Sequence, residues 1–159
     1  MQVKGVVFED FVNYKIPCMT IESPFCTFKC DKECGKPVCQ NSPLVSAETL
    51  DIKINSLIEE YLENKITKAI CFQGLEPFDT WEETYDFIFT LRRRYHCKDD
   101  VVIYTGFTEE ELKGKLIQLS MLENIIIKFG RFVPDQEKHF DEVLGVELAS
   151  PNQYARRIS

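Results

Sequence analysis

A chain of 159 residues that is 44% hydrophobic and 28% charged has the composition of a soluble domain with a hydrophobic core, so we expect a single domain over residues 1–159. Its net charge of −7 argues against nucleic-acid binding, which normally needs an excess of Lys and Arg. No run of about 18 apolar residues is present and the first residues lack the basic start of a signal peptide, so the sequence predicts a cytoplasmic protein that does not bind a membrane.

Helix and strand patterns alternate from residue 51 onward. Residues 56–59, Ser-Leu-Ile-Glu, have the form of a capping box and predict the start of an amphipathic helix. Residues 68–72 form a short apolar run that ends at Gly74 and predict a buried strand. An earlier strand is expected around residues 18–23.

Two further helices and two further strands follow. Both helices are expected to begin at capping boxes, residues 80–83 and 108–111, and the second helix extends to about residue 119. Both strands are apolar runs that end at glycines, residues 100–105 and 124–129. Continuous apolar strands separated by amphipathic helices indicate βαβ units, so we expect an α/β protein with a mostly parallel sheet covered by helices.

Ligands of such sheets bind at the carboxyl ends of the strands. The cysteine-rich segment 26–41, residues 74–77 and residues 105–107 all follow predicted strands. We therefore expect these three segments to meet at one end of the sheet.

The dense basic patches are residues 92–94, Arg-Arg-Arg, and residues 156–157, Arg-Arg. The triple arginine falls at the end of a predicted helix. We interpret it as a solvated face whose cations complement the helix dipole.

Cysteine usage is the strongest feature of the sequence. The chain has seven cysteines: Cys18, Cys26, Cys30, Cys34, Cys39, Cys71 and Cys97. An odd number in a presumed reducing compartment argues against a disulfide framework and favours metal or redox chemistry. We interpret the three outside the 26–41 segment as small buried hydrophobes.

Four cysteines lie within 14 residues: Cys26, Cys30, Cys34 and Cys39. Gly35 and Pro37 bend the chain between them, so the four thiolates can converge on one metal centre. Tetrahedral zinc and a [4Fe–4S] cluster both accept such ligands, and the residues alone leave this choice open. A catalytic cluster would need one iron without a cysteine, so that substrate can bind there.

The first two of these cysteines, Cys26-x-x-x-Cys30, resemble the first two ligands of the radical S-adenosylmethionine (SAM) motif, whose third cysteine usually follows after two residues. Here Cys34 gives a gap of three residues and Cys39 a gap of eight. Residues 39–43, Cys-Gln-Asn-Ser-Pro, resemble the Cys-His-Asn-Pro stretch at the third ligand of the activating proteins of anaerobic ribonucleotide reductase. This favours Cys39 as the third ligand, with Val38 beside the adenine and Cys34 in an inserted turn, and leaves Cys34 as the alternative.

A second match is residues 73–77, Gln-Gly-Leu-Glu-Pro, which resemble the Gly-Gly-Glu-Pro motif that contacts the SAM methionyl amino group in that family. Leu75 replaces the second glycine. The resemblance places Gly74, Glu76 and Pro77 in the SAM site. A carboxylate at a strand end can pair with an ammonium ion, and a glycine permits close backbone approach.

Three weaker matches extend the resemblance along the chain. Residues 104–107 resemble a Trp-Thr-Gly-Tyr segment, in which Thr105 either hydrogen-bonds the cofactor or makes the turn. Residues 128–133 resemble Val-Asp-Gly-x-Phe-Val, with Phe129 in place of the aspartate, and residues 150–153 resemble Ser-Ser-Asn-Gln. The matches run in order from about residue 13 to residue 153, and this order makes the resemblance specific.

The resemblance implies a radical SAM-like fold, a partial (βα) barrel, that holds a [4Fe–4S] cluster and SAM. One electron from an external reductant would split SAM into methionine and a 5′-deoxyadenosyl radical. That radical would take a hydrogen from a glycine of a partner, the catalytic subunit of anaerobic ribonucleotide reductase or another glycyl-radical enzyme. A chain of this length has little room for a substrate domain of its own, which suits a protein target.

Two alternatives stay open. The first is a non-enzymatic zinc or fully ligated iron–sulfur protein, which would use four cysteines and bind no SAM. The second is a radical SAM enzyme that acts on another substrate.

Overall fold

A computed structural model describes all residues, 1–159. The elements in chain order are β1 (Gln2–Val3), β2 (Gly5–Asp10), β3 (Cys18–Ser23), α1 (Lys29–Cys34), a 3-10 helix (Ser42–Ser46), β4 (Leu50–Asp51), α2 (Ile54–Glu63), β5 (Ala69–Gly74), α3 (Trp81–Arg93), β6 (Asp100–Tyr104), α4 (Glu109–Leu119), β7 (Ile125–Phe129), β8 (His139–Asp141), β9 (Val146–Leu148) and β10 (Tyr154–Arg157).

Six strands form the main sheet, in the order β10-β7-β6-β5-β3-β2. The four central strands are parallel, and the two edge strands, β2 and β10, are antiparallel to their neighbours. The predicted α/β class with a mostly parallel sheet is therefore confirmed. The sheet is open, and its two edge strands do not close it into a barrel.

The central strands form where the apolar runs predicted them. The strand expected around residues 18–23 is β3, and the runs at 68–72, 100–105 and 124–129 are β5, β6 and β7. Every residue of β7 is buried, as expected for a strand packed on both faces. The register pairs Ile70 with Val101 in the neighbouring strand, so the carboxyl ends of the parallel strands lie side by side.

The two faces of the sheet have different covers. Side chains alternate between the faces, so Phe72 joins a core of 21 buried residues that includes residues of α2, α3 and α4. Its neighbour Cys71 belongs to a smaller cluster of eight with Tyr14, Leu144 and Leu148. Helices therefore cover one face, whereas the segment that carries the β8–β9 hairpin covers the other.

Two of the three predicted helix starts are correct, and one of these two has the predicted capping box. Thr108 caps α4, because its hydroxyl accepts the Glu111 N–H and the Glu111 side chain accepts the Thr108 N–H. Helix α3 begins after Thr80 as expected, but without a side-chain cap. The prediction for Ser56 is wrong, because α2 already begins at Ile54.

The interpretation of residues 92–94 as a solvated face is wrong for Arg92. Its side chain is buried, and its guanidinium donates to the main-chain carbonyls of Cys97, Asp99 and Glu123 at 2.7–2.8 Å. Arg92 therefore ties the end of α3 to the chain segments that enter β6 and β7, while the two arginines that follow it are exposed. The longest helix, α3, has 13 residues, and none of the helices has the length and apolar character needed to cross a membrane.

Candidate functional site

A cavity of about 280 Å³ lies at the carboxyl ends of the parallel strands. Its wall contains most of the residues that the sequence singled out: Cys26, Cys30, Cys39, Gly74, Glu76 and Thr105. The expectation that the cysteine segment and the ends of two strands meet at one end of the sheet is therefore confirmed. Cys34, Val38 and Pro77 do not line this cavity, and the roles assigned to all of these residues stay predictions.

The cysteine segment is anchored where it leaves β3. Asp79 Oδ2 accepts hydrogen bonds from the Thr27 N–H at 2.7 Å and the Thr27 hydroxyl at 2.8 Å. The Cys26 Sγ accepts the N–H of Phe28 at 3.2 Å, and Phe28 has a left-handed backbone with φ +53°. Because Asp79 lies in the turn that follows β5, these contacts fix Cys26 relative to two strand ends.

The later part of the segment is held by a second carboxylate. Asp31 Oδ1, in α1, accepts the N–H groups of Val38 and Cys39, both at 2.8 Å. The Asn41 side-chain amide donates to the carbonyl of Gly74 at the end of β5. These bonds bring Cys39 to the cavity wall, whereas Cys34 is the last residue of α1 and does not line the cavity; both thiols are partly buried.

Glu76 is a buried carboxylate with hydrogen-bond donors on both oxygens. Its Oε1 accepts from the Thr105 hydroxyl at 2.8 Å and its Oε2 from the Gly106 N–H at 2.9 Å. Burial raises the pKa of Glu76 to about 7, although these hydrogen bonds act in the opposite direction. The group is therefore fixed in place and poorly solvated, so an ammonium ion in the cavity would interact with it strongly.

Lys128 is a cavity residue that the sequence reasoning missed. It is only 7% exposed, and its Nζ donates to the carbonyl of Gly130 at 3.0 Å. Burial lowers the pKa of Lys128 to about 8, while the negative charges of Cys30 and Glu76 favour its protonated form. The sequence feature that could have revealed it is the single charge in the run of residues 125–129, Ile-Ile-Ile-Lys-Phe, because a lone lysine in a buried strand needs a partner.

Gly106 leaves a gap between the thiol of Cys30 and the carboxylate of Glu76. A Cβ at this position would lie 3.5 Å from the Cys30 Sγ and 3.6 Å from the Glu76 Oε2. A methyl group would thus make ordinary van der Waals contacts and fill the gap between the thiol and the carboxylate. The absence of a side chain at Gly106 leaves this part of the cavity available to a ligand.

Burial makes the thiols of Cys26 and Cys30 resist ionisation in the free protein. Burial raises the pKa of Cys26 to about 12 and also raises the pKa of Cys30. The positive charges of Arg131 and Lys128 lower the pKa of Cys30 and so oppose this effect. Metal ligation requires thiolates. The positive charge of a bound metal stabilises the thiolate and so offsets the effect of burial on the pKa.

The donor set fits an iron–sulfur cluster. The three thiols line one cavity, and no three His, Cys, Asp or Glu side chains lie close enough together to hold a single metal ion. In an iron–sulfur cluster each thiolate binds its own iron, and such a group takes ligands from separate points of a cavity wall. Cys26, Cys30 and Cys39 are the residues that would hold it.

The remaining cysteines lie away from the cavity. Cys18 and Cys71 are fully buried on neighbouring strands, as expected for small hydrophobes, and Cys97 is partly buried near the start of β6. None of the three lines the cavity wall.

Comparison with known proteins agrees with this description of the site. A family model described as "4Fe-4S single cluster domain" matches residues 20–150, which is most of the chain. The matched region begins in β3 and includes all the cysteines at the cavity. No curated protein and no solved structure matches the chain.

Proposed function

This chain belongs to the family of 4Fe-4S single cluster domains, and we propose that it uses its cluster for radical SAM chemistry. The observation that carries the proposal is one cavity that contains three thiols and a buried carboxylate at adjacent strand ends. Three thiolates leave one iron of a [4Fe–4S] cluster without a protein ligand. That iron can bind a substrate.

Cys26, Cys30 and Cys39 are the proposed cluster ligands, and Cys34 is a spare thiol. When bound, such a cluster with an open iron supplies the electron that splits SAM into methionine and a 5′-deoxyadenosyl radical, and the electron comes from an external one-electron reductant. The protein contributes position and shelter from water. Glu76 lines the same cavity as the three proposed ligands, so a substrate held there would meet its carboxylate.

Glu76 is proposed to bind the methionyl ammonium group of SAM. Thr105 and Gly106 donate to its two oxygens and so orient them. Oε1 also accepts the Phe78 N–H at 3.1 Å, so Oε2 is the oxygen that retains capacity for a further hydrogen bond. The positive φ of +84° at Gly74 permits a backbone turn that places Glu76 at the cavity, and a Cβ there would come within 3.0 Å of Glu22.

Lys128 supports this function through its charge. Three thiolates and the Glu76 carboxylate bring several negative charges into a poorly solvated cavity. The buried ammonium of Lys128 is a positive charge in the same wall. It lowers the cost of ionising Cys30 and offsets the negative charge of a ligated cluster.

The proposed partner is a glycyl-radical enzyme, such as the catalytic subunit of anaerobic ribonucleotide reductase. Phe25, directly before Cys26, is 53% exposed and gives the cysteine segment an apolar residue on the surface. Exposed aromatic residues commonly anchor protein interfaces. A partner that packs on Phe25 would bring its glycine loop towards the cavity.

The first test is SAM cleavage by protein reconstituted anaerobically with iron and sulfide and reduced with dithionite. We expect 5′-deoxyadenosine from the wild type and none from Cys26→Ala. The matched control, Cys97→Ala, removes a partly buried thiol outside the cavity and should retain product formation. An intact cluster, or tightly bound zinc, without product would contradict the enzymatic function and favour a metal-stabilised binding protein.

The second test adds the catalytic subunit of an anaerobic ribonucleotide reductase and records the electron paramagnetic resonance spectrum. A glycyl radical that depends on SAM and reductant is the expected result. SAM cleavage without a radical on this partner would direct the search to another substrate.

A further inference from the structure

Two cysteines compete for the third position of the site. Cys34 follows Cys30 by four residues in α1, which places the two side chains on one face of the helix, a turn apart. Cys39 is nine residues from Cys30 and lies beyond the end of the helix. Proximity along the chain therefore favours Cys34, yet it is Cys39 that lines the cavity.

The contact that reverses this preference is made by Asp31. One of its oxygens accepts both the Val38 and the Cys39 N–H, and these bonds close the loop that leaves α1 at Gly35. Gly35 has φ +67°, and residues 35–37 are exposed. Asp31 is thus the side chain that holds the amino-terminal side of Cys39 against the helix.

The carboxyl-terminal side of Cys39 is fixed separately. The Ser42 N–H donates to the Cys39 carbonyl at 3.3 Å, and the Asn41 side chain donates to the Gly74 carbonyl. These bonds connect the loop to β5, and the hydrogen bonds that connect it back to a side chain of α1 are those to Asp31. The position of the Cys39 thiol therefore depends on both anchors.

We infer that Asp31 selects Cys39 over Cys34 as the third cluster ligand, by holding the Val38–Cys39 backbone at the cavity. The inference rests on the proposed function, because it takes Cys26, Cys30 and Cys39 as the ligand set. Asp31 acts through Cys39 and is a positioning residue. Without its two charge-assisted hydrogen bonds the loop gains conformational freedom, and the nearby Cys34 thiol competes for the same iron.

The test is anaerobic alkylation of the cluster-loaded protein, with mass spectrometry to identify the cysteines that the cluster protects. In the wild type we expect Cys39 to be protected and Cys34 to be alkylated. In Asp31→Ala the ratio of protected Cys39 to protected Cys34 should fall by roughly tenfold or more, the effect of losing one or two hydrogen bonds to a charged group.

Two control variants separate this role from general damage. Asp31→Asn keeps a side-chain oxygen that can accept both N–H groups, so it should retain the wild-type pattern of protection. Lys36→Ala changes an exposed residue of the same loop and should also retain it. A wild-type pattern in folded, cluster-loaded Asp31→Ala would overturn the inference.

If circular dichroism shows that Asp31→Ala does not fold, a second variant changes a donor of the same contact instead of the acceptor. Val38→Pro removes one of the two donors and leaves Asp31 in place. It should shift protection from Cys39 to Cys34 in the same direction, and an unchanged pattern would overturn the inference. Wild-type protein that loads no cluster, or protects neither cysteine, would instead contradict the proposed ligand set.

Discussion

Glu76 and Lys128 show how the surroundings of single residues give this cavity its chemistry. Both side chains are almost fully buried at the ends of parallel strands, and both line the same cavity. Burial raises the pKa of Glu76 and lowers that of Lys128, so each is destabilised in its charged form. A ligand group of opposite charge stabilises the charged form of each side chain. The pair is therefore suited to a ligand that carries both a positive and a negative group.

Replacing Glu76 with alanine should weaken SAM binding by roughly tenfold or more, because the ammonium group loses a charge-assisted hydrogen bond in a poorly solvated site. Equilibrium binding to the cluster-loaded protein is the measurement. Glu60→Ala, which removes an exposed carboxylate from α2, is the control and should bind SAM as the wild type does. Equal affinities of the two variants would rule out Glu76 as the anchor.

A second prediction for a single residue concerns Gly106. Gly106→Ala should lower SAM affinity by roughly tenfold while the protein still folds, because the methyl group fills the gap between Cys30 and Glu76. Gly114→Ala in α4 is the matched control, since a Cβ there meets nothing within 4 Å. The control should leave binding unchanged and raise the free energy of unfolding by up to about 1 kcal/mol. Unaltered SAM binding by Gly106→Ala would show that the ligand does not use this gap.

The three helix starts show that a capping-box pattern in the sequence predicts the position of a helix start better than it predicts the cap itself. All three capping-box patterns lie at or near helix starts, but only Thr108 forms the reciprocal bonds. At Thr80 the hydroxyl faces the carbonyl of Pro77, in the turn that leads from β5 to α3. At Ser56 the helix has already begun two residues earlier. The contacts that place the preceding segment decide whether a cap can form.

Thr108→Ala should therefore lower the free energy of unfolding by about 1 kcal/mol, since it removes the N-cap of α4. Thr80→Ala removes the same atoms from a helix start without a side-chain cap and should cost less. Urea unfolding of the cluster-free variants at neutral pH measures both. Similar losses for the two variants would contradict the assignment of the cap to Thr108 alone.

Arg131 connects the cysteine segment to the sheet and to a helix that covers it, through ionic contacts with α1 and α4. This residue, after β7, forms bidentate hydrogen bonds to Glu111 of α4 at 2.7 and 2.9 Å. Its Nε also lies 2.9 Å from Glu33 of α1, as an ion pair without hydrogen-bond geometry. Arg131 holds the pKa of Glu111 well below its usual range. The short helix that carries Cys30 is thus linked to both α4 and the end of the sheet.

This linkage predicts a loss of stability in acid. The folded state depresses the pKa of Glu111, so its contribution is fully present above the unfolded value of about 4.3 and is lost as the pH falls below it. The melting temperature of cluster-free protein should therefore drop more steeply between pH 5 and pH 3, roughly the range of this transition, than that of Glu111→Gln. Glu60→Gln should follow the wild type. Parallel curves for wild type and Glu111→Gln would contradict the contribution of this ion pair.

The sequence by itself determined the four central strands and their parallel direction, but not their order in the sheet. The apolar runs that became β3, β5, β6 and β7 specify buried parallel strands, because only strands covered on both faces can be apolar throughout. Parallel strands place their carboxyl ends side by side, and for that reason the cysteine segment and Glu76 could be expected at one site.

Only the tertiary structure decided which groups face that site. Arg92 looks like an ordinary surface cation in the sequence, but main-chain carbonyls surround it. Lys128 stands out as a lone charge in an apolar strand, but only the folded sheet shows that its side chain lies at the cavity. The placement of Cys39 at the cavity wall, with Cys34 outside it, depends on the Asp31 contacts across a loop. Spacing along a chain limits what a residue can reach, and contacts between separate segments determine where its side chain lies.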